Sequence, residues 1–60
     1  MKDYLFCNNV TDENFFVECE NFKKAWEIVK ENFGEDCHDF IDYCGWCTVE
    51  EADILGYDTY

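Results

Sequence analysis

The 60-residue sequence contains no proline, no serine and no arginine, and it has only one histidine and three glycines. Without serine, a glycine-rich phosphate loop or a GxGxxG element, most acyl-transfer and nucleotide-binding schemes are excluded. Without arginine, and with only four lysines, the chain lacks the basic clusters that contact phosphates and anionic lipids, so we expect no direct binding to nucleic acid or membranes. A chain this short also offers little volume for a water-excluding pocket, which argues against an enzyme.

Acidic and aromatic residues dominate what is present. The chain has fifteen Asp and Glu residues and four lysines, so its formal net charge is −11. Aromatic residues make up 20% of the chain. The aromatic side chains supply enough apolar area for one small core, so we expect residues 1–60 to form a single compact acidic domain. No apolar run has the length of a signal peptide or a membrane span, which predicts a cytoplasmic protein whose five cysteines stay reduced.

Hydrophobic periodicity predicts a hairpin followed by a helix. Residues 4–8 and 15–19 are short aromatic and β-branched runs separated by a polar loop, as in a β-hairpin. Asn21 is a candidate N-cap for the helix and Gly34 a candidate stop. The apolar stripe of this helix has the spacing i, i+3, i+4, i+7 and i+11 and consists of Phe22, Ala25, Trp26, Val29 and Phe33.

The second half of the chain predicts a third strand at residues 40–46 and a helix at Val49–Leu55. Thr48 and Glu51 match a capping box at the start of that helix, and Gly56 would end it. The element order ββαβα predicts an α+β domain with a three-stranded, mainly antiparallel sheet and helices packed on one face. A right-handed crossover gives the strand order 2-1-3. Trp46 is expected in the core or as a lid over it.

The charge is distributed unevenly along the chain, because no lysine follows Lys30. Carboxylates on alternate strand residues, or four residues apart on a helix, repeat at about 6 Å, near the phosphate spacing of a nucleic-acid strand. The sequence therefore predicts a partner-binding array with aromatic anchors beside it. Its candidate residues are Asp36, Asp39, Asp42, Glu50, Glu51, Asp53, Asp58, Tyr57 and Tyr60. Simple solubility is the alternative reading of this acidity.

The Cys44-Gly45-Trp46-Cys47 segment offers a second kind of chemistry. Redox CxxC motifs start a helix, whereas here the predicted helix begins after Cys47, and nearby glutamates oppose a thiolate. A tetrahedral zinc site would need four ligands, for which Cys44, Cys47, Cys37 and His38 are weak candidates. We therefore interpret the segment as a strand end and a helix cap, with Gly45 either at a bulge or in a metal knuckle, and we predict no bound metal or cofactor.

In size, acidity and aromatic content the chain resembles small phage-encoded inhibitors of host defence, including anti-CRISPR proteins, several of which mimic nucleic acid. The resemblance rests on these general properties and assigns no individual residue. It implies a non-enzymatic inhibitor, acting in the host cytoplasm, that presents an acidic surface to the basic groove of a nucleic-acid-binding protein. Two alternatives stay open: a small metal-binding or redox module using Cys44 and Cys47, and a structural protein that forms homodimers through a sheet edge.

Overall fold

The first two strands form the predicted antiparallel hairpin in the computed structural model, which describes residues 2–60. The turn is held by Asn8, whose Oδ1 accepts hydrogen bonds from the amides of Val10 (2.9 Å) and Thr11 (3.2 Å). The elements in chain order are β1 (Lys2–Asn8), β2 (Glu13–Cys19), α1 (Phe22–Phe33), α2 (Cys37–Phe40), β3 (Ile41–Cys47), α3 (Val49–Leu55) and β4 (Asp58–Thr59). The predicted α+β class is therefore confirmed.

The sheet has four strands in the order β3-β1-β2-β4. β3 pairs with β1 in antiparallel register, so β3 runs parallel to β2, as the predicted 2-1-3 order requires. The prediction of three strands is wrong in detail, because Asp58–Thr59 adds a short fourth strand in parallel to β2 and makes the sheet mixed.

The main core lies between one face of the sheet and α1. Asn21 caps α1 by accepting a hydrogen bond from the Lys24 amide at 2.9 Å, and Gly34 ends the helix with a positive φ of 93°. Both caps agree with the sequence prediction. The core side chains come from the sheet, α1, α2 and the start of β3 and are Tyr4, Phe6, Phe15, Val17, Cys19, Ala25, Val29, Cys37 and Ile41.

The last helix packs on the opposite face of the sheet, so the prediction of helices on one face is wrong. Side chains alternate along a strand, and since Tyr4 faces α1, Asp3 points to the other side. α3 contacts β1 there through its buried residue Ala52. Thr48 caps α3 as predicted, accepting a hydrogen bond from the Glu51 amide at 3.2 Å, and Gly56 ends it in the left-handed conformation.

Two segments have a defined structure that the hydrophobic periodicity of the sequence does not predict, and both are held by tertiary contacts. α2 is a single turn at Cys37–Phe40, so β3 begins at Ile41 and not at the predicted residue 40, and the Cys37 side chain is fully buried. The C-terminal tail is ordered by Tyr60, whose amide donates to the Phe16 carbonyl at 2.7 Å and whose ring lies 4.9 Å from that of Phe15. Both segments depend on the core they pack against.

Candidate functional site

β3 lies at one edge of the sheet, next to β1 only. Within residues 2–60 no strand pairs with its outer side, so the backbone amides and carbonyls on that side are open to solvent or to another chain. The strand is seven residues long and carries one charged side chain, Asp42. A free edge of this length is a surface to which another chain can add.

A β-bulge in the middle of β3 determines where its aromatic side chains point. Leu5 pairs with Gly45 and Phe6 pairs with Tyr43, which leaves Cys44 as the extra residue of the bulge. Gly45 has a φ of 128°, a conformation open to glycine because it has no Cβ. The bulge suggested by the sequence at this glycine is therefore present.

The extra residue places Tyr43 and Trp46 on the same face of the sheet. Tyr43 pairs with Phe6 and Trp46 pairs with Tyr4, and both of these β1 residues face α1. In an uninterrupted strand, residues three apart face opposite sides. The bulge thus gathers two aromatic side chains beside the free edge, a known use of bulges.

An exposed aromatic patch results, formed by Phe22, Tyr43 and Trp46. The ring of Phe22 lies 4.7 Å from that of Tyr43, and the three residues keep 44%, 39% and 55% of their surface exposed. The expectation that Trp46 belongs to the core or covers it is wrong: the bulge places it on the α1 face, but at the edge of the sheet it stays exposed. Exposed aromatic residues of this kind are common anchors in protein interfaces.

Carboxylates flank β3 at both ends. Asp39 and Asp42 lie at its start, where the Asn9 side-chain amide donates to Asp42 Oδ2 at 3.1 Å. Glu50 and Glu51 lie in the first turn of α3, directly after its end. We define the β3 surface as the aromatic patch together with these four exposed carboxylates. Its aromatic side chains lie on the α1 face of the sheet, whereas Asp42, whose pairing partner is Cys7, points to the other face, on which α3 packs. The carboxylates therefore lie around the free edge of β3 and not on the face of the aromatic patch.

The predicted partner-binding residues are all exposed, but they form three groups and not one array. Asp36, Asp39 and Asp42 lie on α2 and the start of β3, whereas Glu50, Glu51 and Asp53 lie on α3 beyond the other end of β3, roughly 20 Å along the strand. The third group lies at the opposite edge of the sheet and consists of Tyr57, Asp58 and Tyr60. The Tyr57 ring packs 5.6 Å from Phe16.

Asp3 is the one buried carboxylate among residues 2–60, and sequence reasoning did not single it out. It is 2% exposed, and its Oδ1 accepts no hydrogen bond from the described residues. Burial raises the pKa of its carboxyl, and the negative charges of Glu18 and Asp53 raise it further. α3 thus packs over a carboxyl group that holds its proton more tightly than an exposed aspartate does.

The weak metal candidates are not brought together. Cys37 is fully buried in the core, Cys44 is exposed at the bulge, and the His38 ring stacks on Trp26 at 4.2 Å. In the described part of the chain, no three His, Cys, Asp or Glu side chains are placed to hold a metal ion. The four-ligand arrangement therefore has no support in the geometry.

The thiols of the CxxC segment are poorly suited to redox work. Although Cys44 is an exposed residue, partial desolvation of its thiol raises its pKa, as do the neighbouring Cys7 and Asp42. Burial also raises the pKa of Cys47, with a further increase from Glu51 and Asp3. A raised pKa reduces the thiolate fraction at neutral pH, and the thiolate is the reactive form.

A surface groove of about 390 Å³ lies between α1 and α2. Its lining comprises Phe22, Lys23, Trp26, Glu27, Lys30 and His38. Because two of its side chains are lysines, the groove suits a basic partner less well than the β3 surface does. In residues 2–60 no helix is both long and apolar enough to cross a membrane.

No family model, curated protein or solved structure matches this chain. Its function is therefore inferred from the geometry and charge described above.

Proposed function

We propose that the chain is a non-enzymatic inhibitor that binds the basic nucleic-acid-binding groove of another protein or complex. The observation that carries this proposal is that every Asp and Glu except Asp3 is exposed, on a chain of net charge −11. Self-repulsion at this charge density costs stability in a small domain. A basic partner would relieve that repulsion, and it would release the counterions held by its groove.

The target class that we propose is a CRISPR effector in the cytoplasm of a bacterial host, with the chain acting as an anti-CRISPR protein of phage origin. Such effectors hold nucleic acid in positively charged channels and recognise its backbone. The carboxylates of the β3 surface resemble a nucleic-acid backbone in charge, and its aromatic patch can anchor the contact at the free edge. Because the carboxylates are grouped at separate places, the proposed mimicry is one of charge and not of a continuous row of phosphates.

A charge-reversal experiment tests which surface carries the binding. A tagged chain is used to isolate its partner from lysates of candidate bacteria. The affinity of the partner is then measured for the α3 variant, which combines Glu50→Lys, Glu51→Lys and Asp53→Lys. The matched control combines Glu20→Lys, Glu27→Lys and Glu31→Lys, which changes the net charge equally at exposed positions on or next to α1. Circular dichroism checks that both variants fold.

We expect the α3 variant to lose at least tenfold more affinity than the α1 variant, because rim charges contribute most where they face the partner. Equal losses in the two variants would show that net charge alone drives association. Unchanged affinity in the α3 variant would contradict the proposed surface.

A second candidate function is self-association, which the free outer edge of β3 favours. Each of the two copies would carry a net charge of −11, and their mutual repulsion opposes association, so this candidate has less support. Light scattering coupled to size exclusion at low and high salt tests it. A mass of 7.2 kDa at all concentrations would exclude it.

A further inference from the structure

Trp46 already binds a cation in the free chain. The Lys2 Nζ lies 4.2 Å from the centre of the Trp46 ring, a cation–π contact. Lys2 and Trp46 lie on neighbouring strands and on the same face of the sheet, since Trp46 pairs with Tyr4. Trp46 is nevertheless 55% exposed at the edge of the sheet, so a ligand can reach it from solvent.

The charges around this ring favour a cation from outside. Asp42 lies on the same strand, and Glu50 and Glu51 follow it in the first turn of α3. No lysine or arginine occurs after Lys30, so β3 and α3 carry no positive charge of their own. The basic side chain that contacts β3 is that of Lys2, from the neighbouring strand. A cationic side chain arriving at Trp46 would meet the π face of the ring, and the rest of the basic segment would lie along an edge whose nearby charges on β3 and in the first turn of α3 are negative.

We propose that Trp46 is the cation-binding point of the β3 surface, and that an arginine of a basic partner segment replaces Lys2 over its ring. This inference rests on the proposed function, whose partner it describes: an arginine-bearing segment lying along the free outer edge of β3. A guanidinium stacks on an aromatic face and is more weakly hydrated than an ammonium, so arginine competes well with Lys2 for this position. Lys2 returns to water in the exchange.

Nona-arginine peptide is a direct probe of this exchange. From the contact of Lys2 with Trp46, we expect the ring current of Trp46 to shift the NMR signals of the Lys2 ε-methylene protons in the free protein. We expect this shift to disappear as the wild-type chain is titrated with the peptide. This measurement uses the unaltered chain and does not depend on any variant folding.

A double-mutant cycle then tests whether Lys2 and the arginine peptide compete for the Trp46 ring. Lys2→Met removes the competing cation from the Trp46 ring. Lys24→Met is the matched control, since it removes one positive charge from an exposed position on α1. By calorimetry we expect Lys2→Met to tighten nona-arginine binding about two- to fivefold more than Lys24→Met. In a Trp46→Ala background, which we expect to bind more weakly, the two lysine variants should have the same effect.

The outcomes separate this inference from the proposed function. Nona-arginine could bind with strong salt dependence while the Lys2 signals stay shifted and the two lysine variants behave alike. That result would contradict the exchange at Trp46 but would agree with the proposed binding of a basic partner to the acidic chain. If the wild-type chain shows no salt-sensitive binding to nona-arginine, both proposals are contradicted.

Discussion

Tyr43 and Trp46 are three residues apart on β3 and yet face the same side of the sheet, because Cys44 is the extra residue of a bulge. An exposed aromatic patch at a sheet edge is therefore a product of backbone geometry. A regular strand with the same residues would have turned one of the two rings toward α3. The partner-binding surface proposed above depends on this local irregularity.

The first prediction concerns the glycine that permits the bulge. Gly45 has a φ of 128°, and a Cβ added there would meet no heavy atom within 4 Å, so Gly45→Ala tests backbone strain alone. We expect a loss of roughly 1–3 kcal/mol in the free energy of unfolding, measured by urea denaturation. The control is Cys44→Ala, an exposed neighbour in the same bulge, which should cost less. Equal stability of Gly45→Ala and wild type would contradict the assigned backbone conformation.

The second prediction concerns the buried carboxyl of Asp3. Its pKa is raised by burial and by Glu18 and Asp53, so the folded state binds this proton more tightly than the unfolded state does. The stabilisation is complete below the unfolded-state pKa and is lost as pH rises through the folded-state pKa. Asp3→Asn, which stays neutral, should therefore be more stable than wild type at pH 7, by roughly 1–2 kcal/mol.

The pH dependence of this difference separates Asp3 from the general acidity of the chain. Between pH 7 and about pH 4, the stability advantage of Asp3→Asn over wild type should shrink. Glu20→Gln serves as the control because it removes one negative charge at an exposed position. If Asp3→Asn and Glu20→Gln show the same pH profile, Asp3 has no special place in the stability of the fold.

How far the sequence predicts this fold can be judged from individual elements. The caps at Asn21 and Thr48 were predictable, because capping depends on a few adjacent residues, and both make the expected hydrogen bonds. β4 was not predictable, since two residues carry no periodicity and their pairing depends on the contact of Tyr60 with Phe15 across the core. The face occupied by α3 is likewise decided by packing and not by its own sequence.

The candidate site was predictable in its residue types more than in its arrangement. The exposed carboxylates follow from composition, and all the predicted acidic residues are exposed. Their division into three groups follows from the sheet order, which places Asp58 and Asp42 at opposite edges. The placement of Trp46 on the same face as Tyr43 follows from the bulge at Cys44, and its exposure follows from the position of β3 at the sheet edge. Neither could be read from the residue types alone.

A third prediction tests the ordering of the C-terminal tail. The Tyr60 ring lies 4.9 Å from Phe15 and 5.5 Å from Phe33, so Tyr60→Ala removes two aromatic contacts. We expect a loss of about 1–2 kcal/mol in the free energy of unfolding. Ile54→Ala is the control: Ile54 is 84% exposed, and its truncation should change stability by less than about 0.5 kcal/mol. Similar effects of both variants would mean that the tail contributes nothing to the core.

A fourth prediction concerns the reactivity of the CxxC thiols. Because the pKa values of Cys44 and Cys47 are raised, their alkylation by iodoacetamide at pH 7 should be slower than that of an ordinary exposed cysteine in a peptide. The rates should rise as pH increases beyond the ordinary thiol pKa of about 8.5. Mass spectrometry of the labelled peptides measures each cysteine separately. Rapid labelling of either residue at pH 7 would restore the redox interpretation.

The central claim, that the acidic surface occupies a nucleic-acid-binding groove, is tested most directly by a competition measurement. A labelled target DNA is bound to a purified CRISPR effector complex recovered with the tagged chain, and the chain is then titrated in at low and moderate salt. We predict that the DNA is displaced, and that displacement weakens as salt increases. Simultaneous binding of DNA and chain, with the DNA affinity unchanged, would contradict the claim.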